Sequence, residues 1–330
     1  MNERNFQRTR RNRKKASLRA LVRETNLSSA DFIQPLFVRP GSDVKREIPS
    51  MPGQYQYSVD RIAEEALRVE DTGVPAVILF GIPEEKDERA SRAYAEDGII
   101  QKALREIKDE TRDLTLIADV CLCEYMSHGH CGVISGEEGN RTVDNDRTLP
   151  LISKTALAAV EAGADVVAPS GMMDGMVQAI RTTLDDNDFS DIPILSYAAK
   201  YESSFYGPFR DAAESPPQFG DRARYQMDPA NSDEAMREIR LDVRQEADMI
   251  MVKPALSYLD VIHRASTSFD LPVFAYSVSG EYAMIKAAAS NGWLDERSVA
   301  LEMLTSIRRA GADAILTYWA TSAAGWLDDL

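Results

Sequence analysis

The chain has few cysteines and no long apolar run. Its 330 residues include three cysteines, three histidines and only ten lysines. The three cysteines are odd in number and lie within eleven positions, which argues against a disulfide framework and favours a reducing compartment. No run of about 18 uncharged apolar residues occurs, and residues 1–15 lack the apolar segment of a secretion signal. The sequence therefore predicts a cytoplasmic protein without a membrane span.

Basic charge is concentrated at the start of the chain. Residues 1–23 contain nine Arg or Lys and one Glu, whereas the rest has a net charge of −23. A basic arm can bind nucleic acid, direct import or lie on an acidic neighbouring subunit. The acidic body favours the last, so we predict an arm over residues 1–30 that packs on a second copy, and no nucleic-acid partner. The acidic, lysine-poor body suits a salt-rich cytosol, and ordinary solubility is the alternative explanation.

Short β-rich apolar runs alternate with helical patterns over residues 31–330, as in βαβ units with a parallel sheet. Eight such runs predict one α/β domain, a (β/α)₈ TIM barrel whose chemistry lies at the carboxyl ends of the strands. A doubly wound open sheet is the alternative, but residues 39–42 match its phosphate loop poorly. The predicted strands are 33–38, 76–80, 114–120, 166–168, 194–197, 249–252, 273–276 and 314–317, and the predicted helices include 59–72, 153–162, 174–184, 233–245 and 281–289.

Two of the ten lysines come at the ends of neighbouring predicted strands. Lys253 ends an apolar run, and Lys200 closely follows the run 194–197. Poor hydration and a second nearby cation both favour the uncharged amine, which is the form that attacks a carbonyl. A single strand-end lysine can instead be a snorkelling side chain or half of an ion pair. Two at one rim predict two Schiff bases. Other polar residues at strand ends are Asp119, Ser170, Ser279 and Tyr318.

All three cysteines lie in the stretch that follows the third predicted strand. Cys121 and Cys123 form a C-x-C pair, which does not easily close a disulfide but can bind one soft cation, and Cys131 supplies a third thiolate. Three protein ligands leave a fourth position open, which is typical of a catalytic zinc. His128 or His130 can alternatively complete the ligand set.

Residues 205–222 form a long aromatic segment punctuated by glycine and proline. This composition predicts a lid over the mouth of the barrel. Arg210 and Arg222 on the lid can bind a carboxylate. A plain surface excursion with two solvated arginines is the alternative.

These stretches resemble the porphobilinogen synthase (5-aminolevulinate dehydratase) family, from the basic arm to Trp326. Residues 251–254 resemble its Schiff-base signature, residues 205–210 resemble its lid, and the three cysteines resemble its zinc-type triad. The resemblance implies a barrel with an extended N-terminal arm, usually a homo-octamer. Its members condense two molecules of 5-aminolevulinate to porphobilinogen, an early step toward haem and other tetrapyrroles.

The resemblance also implies how the two substrates are held. Lys253 would hold the first substrate, which becomes the propionate side of the product, and Ser279 and Tyr318 would bind its carboxylate. Lys200 would form the second Schiff base, on the acetate side. The two lid arginines would bind the second carboxylate, and zinc would lie near this second substrate.

The remaining roles follow from the same resemblance. Asp119 and Ser170 would orient groups and shuttle protons, and the aromatic Phe205 and Tyr206 of the lid would help to bind the substrate. Glu238 matches a glutamate that in some members helps to hold an allosteric magnesium ion between subunits. On a polar helix, Glu238 is equally well a solvated charge or an ion-pair partner.

Two other functions fit part of the pattern. A class I aldolase or related Schiff-base lyase would use one strand-end lysine on the same barrel, but it leaves the cysteines unexplained. A zinc-carrying scaffold without activity would bind metal and trap no substrate.

Overall fold

The structure is a computed structural model that describes residues 7–137 and 139–329, so the first six residues of the predicted arm lie outside the described residues. Eight barrel strands occur at the eight predicted places. They are β1 (Phe32–Val38), β2 (Ala76–Gly81), β3 (Thr115–Val120), β4 (Val166–Pro169), β5 (Leu195–Lys200), β6 (Met249–Lys253), β7 (Val273–Ser277) and β8 (Ala314–Thr317).

These strands are parallel and close into a barrel. The hydrogen-bonded order runs from β4 through β1 to β8 and on to β5. A parallel bridge between Val167 and Ile194 joins β4 to β5 and completes the circle. The predicted (β/α)₈ barrel is therefore confirmed, and the open doubly wound sheet is excluded.

Helices follow the strands around the barrel. Of the eleven α-helices in the described residues, five match the predicted segments, and the six at residues 16–21, 99–110, 207–212, 259–268, 296–310 and 320–328 are not among them. The α-helices are α1 (Ala16–Leu21), α2 (Val59–Asp71), α3 (Ile99–Glu110), α4 (Asn145–Glu161), α5 (Met176–Asp185), α6 (Gly207–Ala212), α7 (Ser232–Arg244), α8 (Leu259–Ser268), α9 (Ser279–Ser290), α10 (Glu296–Ala310) and α11 (Ala320–Asp328). Single 3₁₀ turns span Thr9–Arg13, Ser29–Asp31, Ser91–Ala93, Ser204–Tyr206 and Leu256–Tyr258, and two small hairpins pair Lys45–Glu47 with Tyr55–Tyr57 and Ile134–Ser135 with Thr142–Val143.

Helix α4 begins eight residues before its predicted start at residue 153. Its N-terminus is capped by Asp144, whose carboxylate accepts a hydrogen bond from the Arg147 amide at 3.1 Å. The helix continues through Pro150. Proline lacks the amide donor of a helix interior, but the cap stabilises the turns before it.

Aspartates at the helix-to-strand joints hold the amino ends of the barrel strands. Asp165 accepts from the Leu116 amide at 2.9 Å, and Asp313 accepts from the Val273 amide at 2.9 Å. The glycine two residues before each aspartate has a positive φ, which glycine adopts without steric cost. The Gly-Ala-Asp sequence thus both ends a helix and fixes the neighbouring strand.

The described part of the basic arm is exposed. Its apolar Leu21 is 82% exposed and Val22 is 47% exposed. Along residues 7–137 and 139–329, no helix combines the length and the apolar composition that crossing a bilayer requires.

Candidate active site

The two predicted lysines lie side by side at the carboxyl ends of neighbouring strands. Lys200 is the last residue of β5, which extends three residues beyond its predicted end, and Lys253 is the last residue of β6. The two residues are paired in the register of the sheet, and each is only 5% exposed. The Lys200 amine donates a hydrogen bond to the Ser170 carbonyl at 2.6 Å. The strands therefore present two buried amines to one space.

Aromatic rings enclose the Lys253 amine. Its Nζ lies 4.2 Å from the ring centre of Tyr276, 5.0 Å from Phe209 and 5.2 Å from Tyr197. Burial, together with the charge of Lys200, lowers the pKa of Lys253 from its usual value to about 7. A substantial share of this amine is therefore uncharged near neutral pH.

An aspartate and a serine lie next to the lysines. The Ser170 hydroxyl donates to the Asp119 carboxylate at 3.1 Å. Burial and the charge of Glu124 together raise the pKa of Asp119 to about 7, against the opposing charge of Lys200. A carboxyl group with such a pKa can both accept and release a proton at neutral pH.

Nine of the predicted site residues line a single cavity of about 20 Å³, which has room for roughly one water molecule. A substrate must therefore displace part of the wall to reach the amines. The nine residues are Asp119, Cys121, Cys123, Ser170, Lys200, Tyr206, Arg210, Arg222 and Lys253.

The three cysteines converge beside this cavity. Their sulfur atoms all lie within 4.8 Å of one another, and the Sγ atoms of Cys121 and Cys123 are 3.3 Å apart. All three are free and buried. Hydrogen bonds from Cys121 and Cys123 lower the pKa of the Cys131 thiol well below its usual value. Two thiols beside one thiolate form a donor set for a soft cation, so the residues fit zinc.

Neither histidine of this stretch belongs to the thiol cluster. His130 contacts the Tyr225 hydroxyl at 3.1 Å and the Phe219 carbonyl at 2.8 Å through its two ring nitrogens. The His128 Nδ1 accepts from the His130 amide at 3.1 Å, and burial lowers the pKa of His128 to about 4. Within the described residues, two groups of potential metal ligands meet at these thiols, the three cysteines and the set Asp119, Cys121 and Glu124, and neither contains a histidine.

The predicted lid covers Lys253 at the carboxyl rim of the barrel. The Tyr206 hydroxyl donates to the Lys253 carbonyl at 3.3 Å, and the ring of Phe209 lies over the Lys253 amine. Ser279 holds this segment in place, since its hydroxyl accepts from the Phe209 amide at 2.9 Å and donates to the Phe205 carbonyl at 3.3 Å. The segment therefore covers the lysine cavity, as a lid would, and is not a plain surface excursion.

The remaining predicted residues differ in their surroundings. Arg222 is buried, and its guanidinium donates to the Gly129 carbonyl at 2.9 Å and to the Ser215 carbonyl at 3.1 Å. The Arg210 Nε is buried and has no hydrogen-bond partner among the residues that the structure describes. The Tyr318 hydroxyl lies 3.0 Å from that of Tyr276, which faces Lys253. The lid arginines are therefore not the solvated charges of the alternative interpretation.

Glu238 lies apart from the lysines, in a separate cavity of about 650 Å³. Asp174, Glu234, Arg237 and Asp242 line the same cavity. Burial, followed by the charges of Asp174 and Glu234, raises the pKa of Glu238. Glu238 is half-buried, and its neighbours in this cavity are mainly acidic. It does not line the lysine cavity.

Sequence reasoning missed several residues of the site. Glu124 and Phe80 line the cavity, and Tyr197 and Tyr276 flank Lys253. Glu124 follows Cys123 directly, so its place in the cysteine stretch was a usable signal. The tyrosines lie within apolar strands, where period-two patterning does not show which face meets the lysine.

The lid depends on Gly280, and Gly280→Ala is expected to loosen it. A Cβ at this position would lie 2.5 Å from the Phe205 carbonyl oxygen and 2.8 Å from the Phe205 Cα, so the backbone of the lid must move. At a cost of about 1–3 kcal/mol for overpacking, the open lid should become roughly tenfold more populated. Trypsin cleavage after Arg210, followed by mass spectrometry, should accelerate correspondingly.

The matched control is Gly207→Ala, on the lid itself, where an added Cβ meets nothing within 4 Å. We expect its cleavage rate to equal that of the unmodified protein. Equal rates for Gly280→Ala and Gly207→Ala would contradict the tight packing of the lid on α9.

A closed parallel barrel with polar and charged side chains, including two paired, buried lysines, at its carboxyl rim is typical of a TIM-barrel enzyme. The family model for delta-aminolevulinic acid dehydratase matches residues 6–326. The chain therefore belongs to the delta-aminolevulinic acid dehydratase family, and it is a lyase of that family.

Individual relatives agree over nearly the whole chain. The chain is 59% identical to a delta-aminolevulinic acid dehydratase of Synechocystis, covering 98% of each chain, and 51% identical to that of Bacillus subtilis, again covering 98% of each. A crystal structure of the Toxoplasma gondii enzyme in complex with the reaction product porphobilinogen is 45% identical, with a TM-score of 0.95 over 98% of this chain and 93% of that one.

Proposed function

We propose that this lyase condenses two molecules of 5-aminolevulinate to porphobilinogen, with loss of two water molecules, through Schiff bases on Lys253 and Lys200. The observation that carries the proposal is the pairing of these two lysines at neighbouring strand ends, in one buried cavity beside three thiols. The porphobilinogen bound to the Toxoplasma gondii relative supports the choice of product.

The first substrate reacts at Lys253. The uncharged amine attacks the ketone carbon, and the resulting carbinolamine loses its oxygen as one water molecule to leave a Schiff base. The lowered pKa of Lys253 supports this role, because the attacking form is populated at neutral pH. Ser279 and Tyr318 bind the carboxylate of this substrate after the Ser279 hydroxyl has released the lid backbone.

The second substrate reacts at Lys200 in the same way and releases the second water molecule. Arg210 and Arg222 bind its carboxylate, as paired guanidinium groups on a lid can do. Asp119 and Ser170 orient the groups and move protons while the new carbon–carbon and carbon–nitrogen bonds form. Both lysine amines are freed in the process, one displaced by a substrate amino group and the other on aromatisation of the ring.

Cys121, Cys123 and Cys131 would hold a zinc ion next to the second substrate. The fit rests on three buried, free thiols that share one small space. When bound, zinc would polarise a carbonyl or acidify a water molecule. Arg222, which lies close to the thiols, lowers the pKa of Cys131 and so favours the thiolate that a metal needs.

Borohydride reduction in the presence of 5-aminolevulinate tests the proposal. We expect covalent labelling of Lys253, identified by peptide mass spectrometry, together with pyrrole formation in a colorimetric assay with zinc. The same experiment separates the alternatives: an aldolase-like lyase would be labelled without forming a pyrrole. A protein that binds zinc but is neither labelled nor active would be a scaffold, and the proposal would fail.

We also propose that the arm, residues 1–30, packs on a neighbouring copy in a homo-octamer. Its support is the exposed Leu21 and Val22 on a segment of positive charge, opposite an acidic body. Deletion of residues 1–23, which removes a net charge of +8, should yield smaller assemblies in sedimentation velocity. An unchanged sedimentation pattern, after correction for mass, would contradict this role.

Two further assignments belong to the proposal. Glu238 would help to hold an allosteric magnesium ion, with support from the acidic Asp174 and Asp242 in the same cavity. The location would be cytoplasmic, with support from three free thiols that require a reducing compartment.

A further inference from the structure

Glu281 is a fully buried carboxylate that lies outside the cavity of the lysines. It is 0% exposed. One carboxylate oxygen accepts a hydrogen bond from the Leu256 amide at 2.9 Å, and the other accepts from the Val278 amide at 3.1 Å. Burying a carboxylate is costly unless it is well bonded, so this arrangement calls for a specific reason.

Helix capping explains only half of these bonds. Glu281 is the third residue of α9, and an acidic side chain there commonly accepts from the residue that precedes the helix, here Val278. The bond to the Leu256 amide lies outside that motif, because Leu256 belongs to the loop that follows β6. The carboxylate therefore joins two loops of the barrel rim.

Each of these loops adjoins a residue of the proposed site. Leu256 comes three positions after Lys253, and Val278 directly precedes Ser279. In the proposed function, the amine of Lys253 holds the ketone carbon of the first substrate, and the hydroxyl of Ser279 binds its carboxylate. A rigid link between the two loops thus fixes the separation of the two groups that bind opposite ends of one molecule.

We propose that Glu281 is a positioning residue that sets the distance between the Lys253 amine and the Ser279 hydroxyl, and thereby selects 4-oxo acids for the first site. The inference rests on the proposed function. The inference adds a determinant of substrate class. A ketone without a suitably spaced carboxylate cannot reach Lys253 and Ser279 together, so the fixed spacing does not improve its binding.

The variant Glu281→Gln isolates this role. Glutamine keeps the size of the side chain, and its oxygen accepts from one of the two amides. Its NH₂ group then faces the other amide donor, so one bond is replaced by a contact between two donors. One of the two loops must shift, and the spacing of the site changes while Lys253 itself is untouched.

The test compares two ketones by borohydride trapping on the full chain with zinc. Levulinate (4-oxopentanoate) keeps the ketone and the carboxylate of 5-aminolevulinate, and 2-pentanone lacks the carboxylate. We expect Glu281→Gln to raise the levulinate concentration for half-labelling of Lys253 about tenfold, as loss of one buried hydrogen bond would. The 2-pentanone concentration for half-labelling should differ by less than about twofold between Glu281→Gln and the unmodified chain.

Four further variants complete the design. Glu302→Gln, an exposed glutamate on α10, is the matched control and should change neither ketone. Ser279→Ala should weaken levulinate labelling, and adding Glu281→Gln to it should cause little further loss if the two residues act together. Glu281→Asp, which keeps both acceptors on a shorter stem, should show the same selective loss in smaller measure and replaces the glutamine variant if that variant does not fold.

The outcomes separate the inference from the proposed function. Equal weakening of both ketones would indicate general distortion, and unchanged levulinate labelling would show that the link does not set the spacing. Either result overturns the role of Glu281 while the proposed function stands. If neither ketone labels the unmodified chain, the proposed function fails and the inference fails with it.

Discussion

Replacement of Lys253 by methionine is expected to lower kcat for pyrrole formation by at least about 10⁴-fold, the scale of loss when a covalent nucleophile is removed. Methionine fills a similar volume but offers no amine to the ketone. The four surrounding aromatic rings should accept its thioether without collapse of the site. The measurement is the colorimetric pyrrole assay at saturating 5-aminolevulinate and zinc, with zinc content checked in the same preparation.

The same substitution should raise thermal stability. The lowered pKa of Lys253 means that the folded chain disfavours the charged amine, at a cost on the order of a few kcal/mol. Between pH of about 7 and about 10.4, the unfolded chain binds more protons at this site than the folded chain. The contribution of Lys253 to stability therefore improves as pH rises through that window, and its full penalty applies below pH 7. Lys253→Met removes the penalty, so its Tm should exceed that of the unmodified chain most clearly at low pH.

The pH–rate profile follows from the same group. The attacking form is the uncharged amine, so kcat/KM should rise with pH through about 7. Lys154→Met, at an exposed lysine on α4, is the control and should keep both the profile and the activity. Turnover by Lys253→Met within tenfold of normal would show that the first Schiff base forms elsewhere.

Much of this site was predictable because chemistry in a parallel barrel lies where strands end. Lys200 and Lys253 are charged residues that follow apolar runs, and neighbouring parallel strands bring such ends together whatever the connecting helices do. The cysteines were identified from spacing alone, because C-x-C places two thiols within reach of one ion.

Other features depend on contacts that sequence patterns do not encode. The register of β5 on β6 shifts between Ile250 and Val252, and this irregularity helps to decide which residues face Lys253. The Glu281 carboxylate accepts hydrogen bonds from backbone amides of two separate loops, so only the folded structure shows that Glu281 lies near the site. Local patterns predicted the strands and the charged ends, and the tertiary packing determines the aromatic enclosure and the lid contacts.

The double substitution Cys121→Ala, Cys123→Ala is expected to remove bound zinc and to lower kcat by about 10³-fold. Two of three soft donors are lost, and the remaining Cys131 cannot hold the ion alone. A Lewis acid worth several kcal/mol of barrier accounts for a loss of that size. Zinc content by atomic absorption and pyrrole formation should fall together, whereas borohydride labelling of Lys253 should persist because the first Schiff base forms at the lysine.

A histidine variant distinguishes the thiol set from a mixed one. His128→Asn should retain zinc, since the His128 ring accepts from the His130 amide and lies apart from the sulfurs. In the unmodified chain, a strong chelator should abolish turnover, and added zinc should restore it. Full activity of the double cysteine variant would exclude a catalytic metal at these thiols, and zinc loss from His128→Asn would place a histidine among the ligands. Retention of zinc by His128→Asn, together with its loss from the cysteine variant, would exclude His128 as a ligand and assign the ion to the thiols.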